Sequence, residues 1–157
     1  MNASGPRQHL FPVRKFVPII ITQALLNKDI EIYGTGNQTV DIIDVRDIAK
    51  IAIKSTRGGI GKDLSKVYDV GSGHAISCND VADYVLKKTN SKSKVTHLPM
   101  RIGEALDTKI AAKSHSELLK KINYKLEYSF EDTMDACINY MKSLDINYLK
   151  KAYEFFK

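Results

Sequence analysis

Apolar residues recur at helical spacing through FVPIIITQALL (residues 16–26), then give way to two short β-type runs, IEIYG (30–34) and QTVDIIDV (38–45). Pro18 fits a helix only in its first turn, where its missing N–H costs nothing, so the first helix starts near it. Helical spacing returns in DIAKIAIKST, whose start Asp44 or Asp47 can cap. A polar Gly-rich loop, RGGIGKDLS (57–65), precedes KVYDVGSG, which reads as a further strand ending in a turn. Ser77 with Asp80 resembles a capping box and opens the helix NDVADYVLKKT; VTHLP is a short strand. Three helices follow, at 114–121, 130–141 and 146–156.

This alternation predicts an α/β protein with parallel pairing. Asn2 to Arg7 look like the turn that follows a buried strand, yet only Met1 precedes them. Parallel strands need neighbours, so the pattern predicts the latter part of a larger sheet, with edges that favour self-association into a homo-oligomer.

Composition narrows the chemistry. With 43% hydrophobic residues, 157 residues can build one ordinary core. A formal charge of +6 raises anionic ligands as candidates. The aromatic residues do not interleave with a basic stripe, which argues against nucleic acid. Cys78 and Cys137 are far apart and form no CxxC pair, so neither zinc nor a disulfide framework is expected. There is no signal-like segment and no apolar run of membrane-spanning length, so the expected location is the cytoplasm, with no membrane partner.

Several motifs, in order, resemble the extended short-chain dehydrogenase/reductase family, the NAD-dependent nucleotide-sugar epimerases and dehydratases. NASGPRQ (2–8) is similar to that family's N-V-Y-G-P-R-Q turn, and IEIYGTGNQTVDIIDVRDIA to its I-Y-G-D-G-x-Q-x-R-D-F-I-H-V-D-D-x-A segment. KVYDVGSGHAISCNDVAD resembles Y-N-V-G-S-G-x-x-x-S-x-x-E-x-A, and Arg101-Ile-Gly-Glu104 resembles R-P-G-E, followed by S-x-E-L-L and F-E-D-x-M-x-x-x-I-x-Y. The resemblance implies an α/β fold: the C-terminal, substrate-binding part of a Rossmann-type enzyme, without the N-terminal dinucleotide-binding strands. Residues 1–142 would form that part, with 143–157 an extra amphipathic helix whose Ile146, Leu149, Tyr153 and Phe156 make a docking stripe.

For function, the resemblance implies the nucleotide-sugar-binding portion of an NAD(P)-dependent, 4-epimerase-like enzyme. NAD or NADP would serve the complete enzyme, and an N-terminal cofactor-binding polypeptide would be needed for turnover. Arg101 would contact the diphosphate, for which a planar guanidinium is suited, and Glu104 would hold the ribose or orient that Arg. Asn2 would face the substrate, and Arg14 and Lys15 would meet a phosphate. Gly34 and Gly36 would supply turn conformations first and open backbone contacts to a base second.

No catalytic residue is assigned. The family's G-x-x-G-x-x-G is absent; Gly71-Ser-Gly73 is a false match, and Tyr84-x-x-x-Lys88 reads as a packed Tyr with a solvated Lys. The chain also departs from the family pattern. Val40 stands at the Arg of R-D-F, Ser4 at a Tyr, Asp44 at a His and Ala111 at the Asp of A-D-I-S-K. Val40 and Ala111 favour an alternative: a non-enzymatic interaction module that keeps the fold and has lost its ligand.

Overall fold

A computed structural model describes residues 2–57, 67–103 and 112–156, with side chains of 112–116 left aside. The helices are α1 (Phe16–Leu25), α2 (Val45–Arg57), α3 (Cys78–Thr89), α4 (Ala112–Lys121), α5 (Phe130–Lys142) and α6 (Ile146–Phe155). Six short strands accompany them: β1 (Asn2–Ser4), β2 (Ile30–Tyr33), β3 (Thr39–Val40), β4 (Ile42–Asp44), β5 (Ile76–Ser77) and β6 (Val95–Leu98). They pair as β1 with β4 and β2 with β6, both parallel, and β3 with β5, antiparallel.

Residues 2–4, expected as a turn, form a strand in register with β4, Asn2 opposite Ile42 and Ser4 opposite Asp44. Among the described residues β1 has no second strand neighbour, as expected for part of a larger sheet.

The helix assignments agree with the hydrophobic pattern, and several boundaries have a physical cause. Ser77 caps α3 by accepting from the Asp80 N–H, and Asn90 closes it at φ 51°. Ser129 and Asp132 make a complete capping box on α5. Asp44, one of the two predicted caps of α2, accepts from the Arg46 N–H at 2.8 Å.

Two strand expectations differ from the structure. The run 38–45 is interrupted at Asp41, which divides antiparallel β3 from parallel β4. Asp41 is fully buried and accepts from Ser72 N at 2.7 Å, Ser72 Oγ at 2.6 Å and Gly73 N at 3.3 Å. The described part of KVYDVGSG, 67–73, forms no strand. Val67 is 87% exposed, and Tyr68 and Val70 instead pack on the smaller core cluster. Alternating apolar residues thus anchor an irregular segment whose last turn is tied to Asp41.

The larger cluster joins α1, α3, α5 and α6 around β2, with Ile20, Ile21, Ile30, Val81, Val85 and Met134 fully buried. Helix α1 is buried from Val17 to Ala24, consistent with its being apolar on every face. The smaller cluster is Ile43, Ile51, Leu118, Ile122 and Tyr124. Strand alternation separates the two: Ile42 faces the larger cluster and Ile43 the smaller. The docking stripe of α6 is satisfied within the chain, since Leu149 and Ala152 join the larger cluster and Phe156 packs on it, while Ile146 remains 48% exposed. No helix among the described residues is long and apolar enough to cross a membrane.

Candidate functional site

Strands β2 and β6 run parallel, so their C-terminal ends open on the same edge, the usual position for ligands in α/β sheets. At that edge a cavity of about 380 Å³ brings together Asn2, Arg14, Lys15 and Arg101, which come from three separate stretches of sequence. Arg14 and Lys15 are placed by the start of α1, where Lys15 occupies the N-cap position without a side-chain capping bond. Arg101 follows β6, and its guanidinium carbon lies 3.7 Å from the centroid of the Tyr33 ring. Arg14 approaches the same ring at 5.7 Å and bonds Glu31 at 3.2 Å.

Three cations therefore face one carboxylate across the cavity. Such a hollow favours an anion, and two guanidiniums flanking one aromatic ring suit a planar, multiply charged group such as a diphosphate.

Gly34 and Gly36 lie in the turn after β2, at φ 75° and 76°, where a side chain would be strained. A Cβ on Gly34 would come within 2.4 Å of Met100 Cε, and one on Gly36 within 1.9 Å of Asn79 Oδ1. Turn geometry and close packing account for both glycines. Glu104 and Ala111 lie outside the described residues.

The pattern reading missed Glu31, Tyr33 and Gln38, which also line the cavity. The signal was the alternation in β2, where Ile30 and Ile32 are buried and Glu31 and Tyr33 share the opposite face. Gln38 donates to the Tyr33 carbonyl at 2.5 Å, and its Oε1 is buried without a partner in the structure. Val40, at the family's Arg position, lines the cavity as a half-buried apolar residue packed on the core.

Two other hollows are larger. One, of about 660 Å³, is lined by Glu127, Glu131 and Asp132, the wrong charge for an anion. The other, of about 530 Å³, lies beside α2, where Lys50 and Lys121 are paired with Glu127 and Glu117.

Neither decoy motif has the chemistry its pattern mimics. Tyr84 donates to Asp135 at 2.9 Å, and Lys88 binds the other oxygen of that carboxylate at 2.7 Å. Burial and the Asp135 carboxylate raise the Tyr84 pKa, the reverse of what a phenolate base needs. In the Gly71-Ser-Gly73 turn, Ser72 and Gly73 direct their N–H groups at Asp41. That carboxylate stands where a dinucleotide's pyrophosphate would have to sit, so this turn does not fit NAD.

The fold and the cavity define an α/β unit with a cation-lined hollow at the strand ends. Residues 1–71 match the NAD dependent epimerase/dehydratase family. The chain is 29% identical over 140 residues to the low-salt glycan biosynthesis protein Agl12 of Haloferax volcanii, covering 88% of this chain and 42% of that protein. UDP-N-acetylglucosamine 4-epimerase from Methanobrevibacter ruminantium, solved with UDP-N-acetylmuramic acid, superposes with a TM-score of 0.78 at 28% identity, covering 90% of this chain and 44% of that one. The fold is also that of dTDP-glucose 4,6-dehydratase from Bacillus anthracis, solved with NAD, at a TM-score of 0.79 and 19% identity, over 96% of this chain and 45% of that one.

The match to the NAD-dependent epimerase/dehydratase family covers a little under half of the chain, and the similarity to nucleotide-sugar enzymes of Rossmann type extends over most of its length. The chain spans a little under half the length of the relatives it matches.

Proposed function

We propose that this chain is the nucleotide-sugar-binding portion of an NAD(P)-dependent nucleotide-sugar epimerase or dehydratase. The observation that carries this reading is the convergence of Arg14, Lys15 and Arg101 on one cavity at the strand ends, with Asn2 at its border. Arg101 and Arg14 would clamp the diphosphate, Lys15 would add a third positive charge, and Asn2 would meet the sugar. Glu104, by resemblance, would hold the ribose. The nicotinamide cofactor supplies hydride abstraction and return in the complete enzyme; the residues of this chain bind and orient the sugar nucleotide against it.

The open edge of β1 would receive a strand from a cofactor-binding segment carrying the Gly-rich turn and the Tyr base, or from a second copy of the chain. Residues 1–142 would form the binding portion, with the last helix an addition to it. The two buried cysteines, Cys78 and Cys137, are not joined in a disulfide, which suits a reducing cytoplasm.

The test is calorimetric titration of the 157-residue chain with inorganic pyrophosphate and with nucleoside diphosphate sugars, together with an epimerase and dehydratase assay in the presence of NAD. Binding without turnover is the expected result. Turnover by this chain alone would overturn the requirement for a cofactor-binding partner, and no binding would overturn the site. Val40 favours a second reading, an interaction module that has lost its ligand, because an apolar side chain stands in the cavity wall at the family's Arg position. Absence of binding, with a protein partner captured instead, would favour it.

A further inference from the structure

Residues 5–15, which lead from β1 to α1, form neither helix nor strand, and among the described residues none of 9–14 makes a backbone hydrogen bond to another element. Side chains fix their path instead. Leu10 is buried in the larger cluster, and Arg14 bonds Glu31 at 3.2 Å. Between these two anchors the Phe11 ring meets two rings of α6, at 5.5 Å from Tyr148 and 5.6 Å from Phe155, centroid to centroid. Tyr148 and Phe155 stand seven residues apart, close to two helical turns, and so share one face of α6. Leu149 and Ala152 seat that helix on the larger cluster, whereas Tyr148 and Phe155 are 39% and 56% exposed. Rings this exposed add little to a core; what they do in the fold is hold Phe11. Phe155 is itself steadied by Phe156, edge-on at 5.1 Å.

We propose that Tyr148 and Phe155, acting through Phe11, are positioning residues by which the last helix sets Arg14 and Lys15 at the rim of the cationic cavity. The proposal rests on the diphosphate reading of that cavity. Phe11 is three and four residues from the two cations, and Pro12 between them fixes one backbone dihedral, so a ring held at 11 limits where 14 and 15 can point. Aromatic pairs have preferred geometries, and two such contacts locate a ring more narrowly than aliphatic packing does. The Arg14–Glu31 pair cannot do this alone, because an arriving anion competes with Glu31 for the same guanidinium. Without the clamp, ordering two long cationic side chains would be charged to binding. Arg101 stands on Tyr33 and reaches the cavity without help from α6, which makes it an internal control. The last helix, which lies beyond the family motifs, thereby gains a part in ligand binding.

The test is isothermal titration of the 157-residue chain with inorganic pyrophosphate. Tyr148→Ala combined with Phe155→Ala is expected to weaken binding about fivefold or more, as a loss of preorganisation does. Tyr148→Phe with Phe155→Tyr keeps both rings and is expected to bind as the unsubstituted chain does. The alanine pair should have its full effect in an Arg101→Ala chain and none in a chain that also carries Arg14→Ala and Lys15→Ala, an outcome that a general loss of structure would not give. Brief trypsin digestion supplies a reading that needs no ligand: cleavage after Arg14 and Lys15 should quicken in the alanine chain relative to cleavage elsewhere. If the alanine pair does not fold, Phe155→Ala alone, at the more exposed of the two positions, replaces it. Unchanged affinity, a loss that is the same with and without Arg14 and Lys15, or unchanged cleavage would overturn the clamp and leave the diphosphate reading intact. An unsubstituted chain that does not bind pyrophosphate removes the diphosphate reading, and the clamp's part in binding with it.

Discussion

Asp41, Asp44 and Asp47 lie three residues apart and are almost fully buried, whereas Arg14, Lys15 and Arg101 come from distant stretches and line an open hollow. The carboxylates have their partners inside the chain. Asp41 holds the turn at 72–73; Asp44 takes the Arg46 N–H and both arms of its guanidinium at 2.7 to 2.8 Å. Asp47 accepts from Tyr124 Oη at 2.6 Å, Glu127 N at 3.0 Å and Tyr128 N at 3.3 Å. The cations of the cavity are held mainly by an aromatic face and a single carboxylate. Buried charge whose hydrogen bonds close on themselves reads as architecture; clustered like charge facing a hollow reads as a place for a ligand.

The sharpest way to break this comparison is Asp47→Ala, which leaves a phenol and two backbone N–H groups without their acceptor. It should cost about 3–5 kcal/mol, measured by urea unfolding, and detach the 124–128 segment from α2. A loss below about 1 kcal/mol, the size of a typical surface substitution or less, would mean that water serves the site equally well.

Arg101→Ala should act on the other side of the comparison. Stability should change by less than about 0.5 kcal/mol, while pyrophosphate affinity falls roughly tenfold or more, the worth of a lost charge-assisted hydrogen bond. A large drop in Tm with unchanged affinity would reverse the assignment.

Acid titration sharpens the contrast less strongly. Burial pushes the Asp44 pKa up, but the hydrogen bonds and charge of Arg46 outweigh it and hold the group below its ordinary value. A carboxylate depressed on folding contributes stability that is present above its unfolded pKa of about 3.9 and disappears as pH falls through the folded value. Tm should therefore decline below about pH 4. The decline should be shallower in Asp44→Asn, and identical acid limbs in the two proteins would remove Asp44 from the account.

The smallest effect belongs to Tyr84→Phe. Losing one hydrogen bond to Asp135 should cost about 1 kcal/mol and leave ligand affinity untouched, as for a packed tyrosine. A loss of turnover in the assembled enzyme would overturn the reading of Tyr84 as a packed residue.

Much of this was legible in the residues alone. The spacing of apolar positions located the six helices of the described residues, because a helix buries a stripe that local periodicity records, and Ser77 marked one start through a bond that spans three residues. Motif order pointed to the family, and with it to Asn2, Arg14, Lys15 and Arg101. The irregular path of 67–73 was not legible, since alternation records which side chains are buried and not whether a neighbouring strand pairs with the backbone. Nor could the chain order show that Glu31 and Tyr33 join Arg101, or that Phe11 meets Tyr148 and Phe155. Those meetings depend on parallel pairing of β2 with β6 and on the packing of α6 against α1, contacts between residues some 60 to 140 positions apart. Local patterning fixes which face of each element is apolar. Only the packed structure decides which polar groups are brought to the same hollow, because that choice is made by long-range contacts.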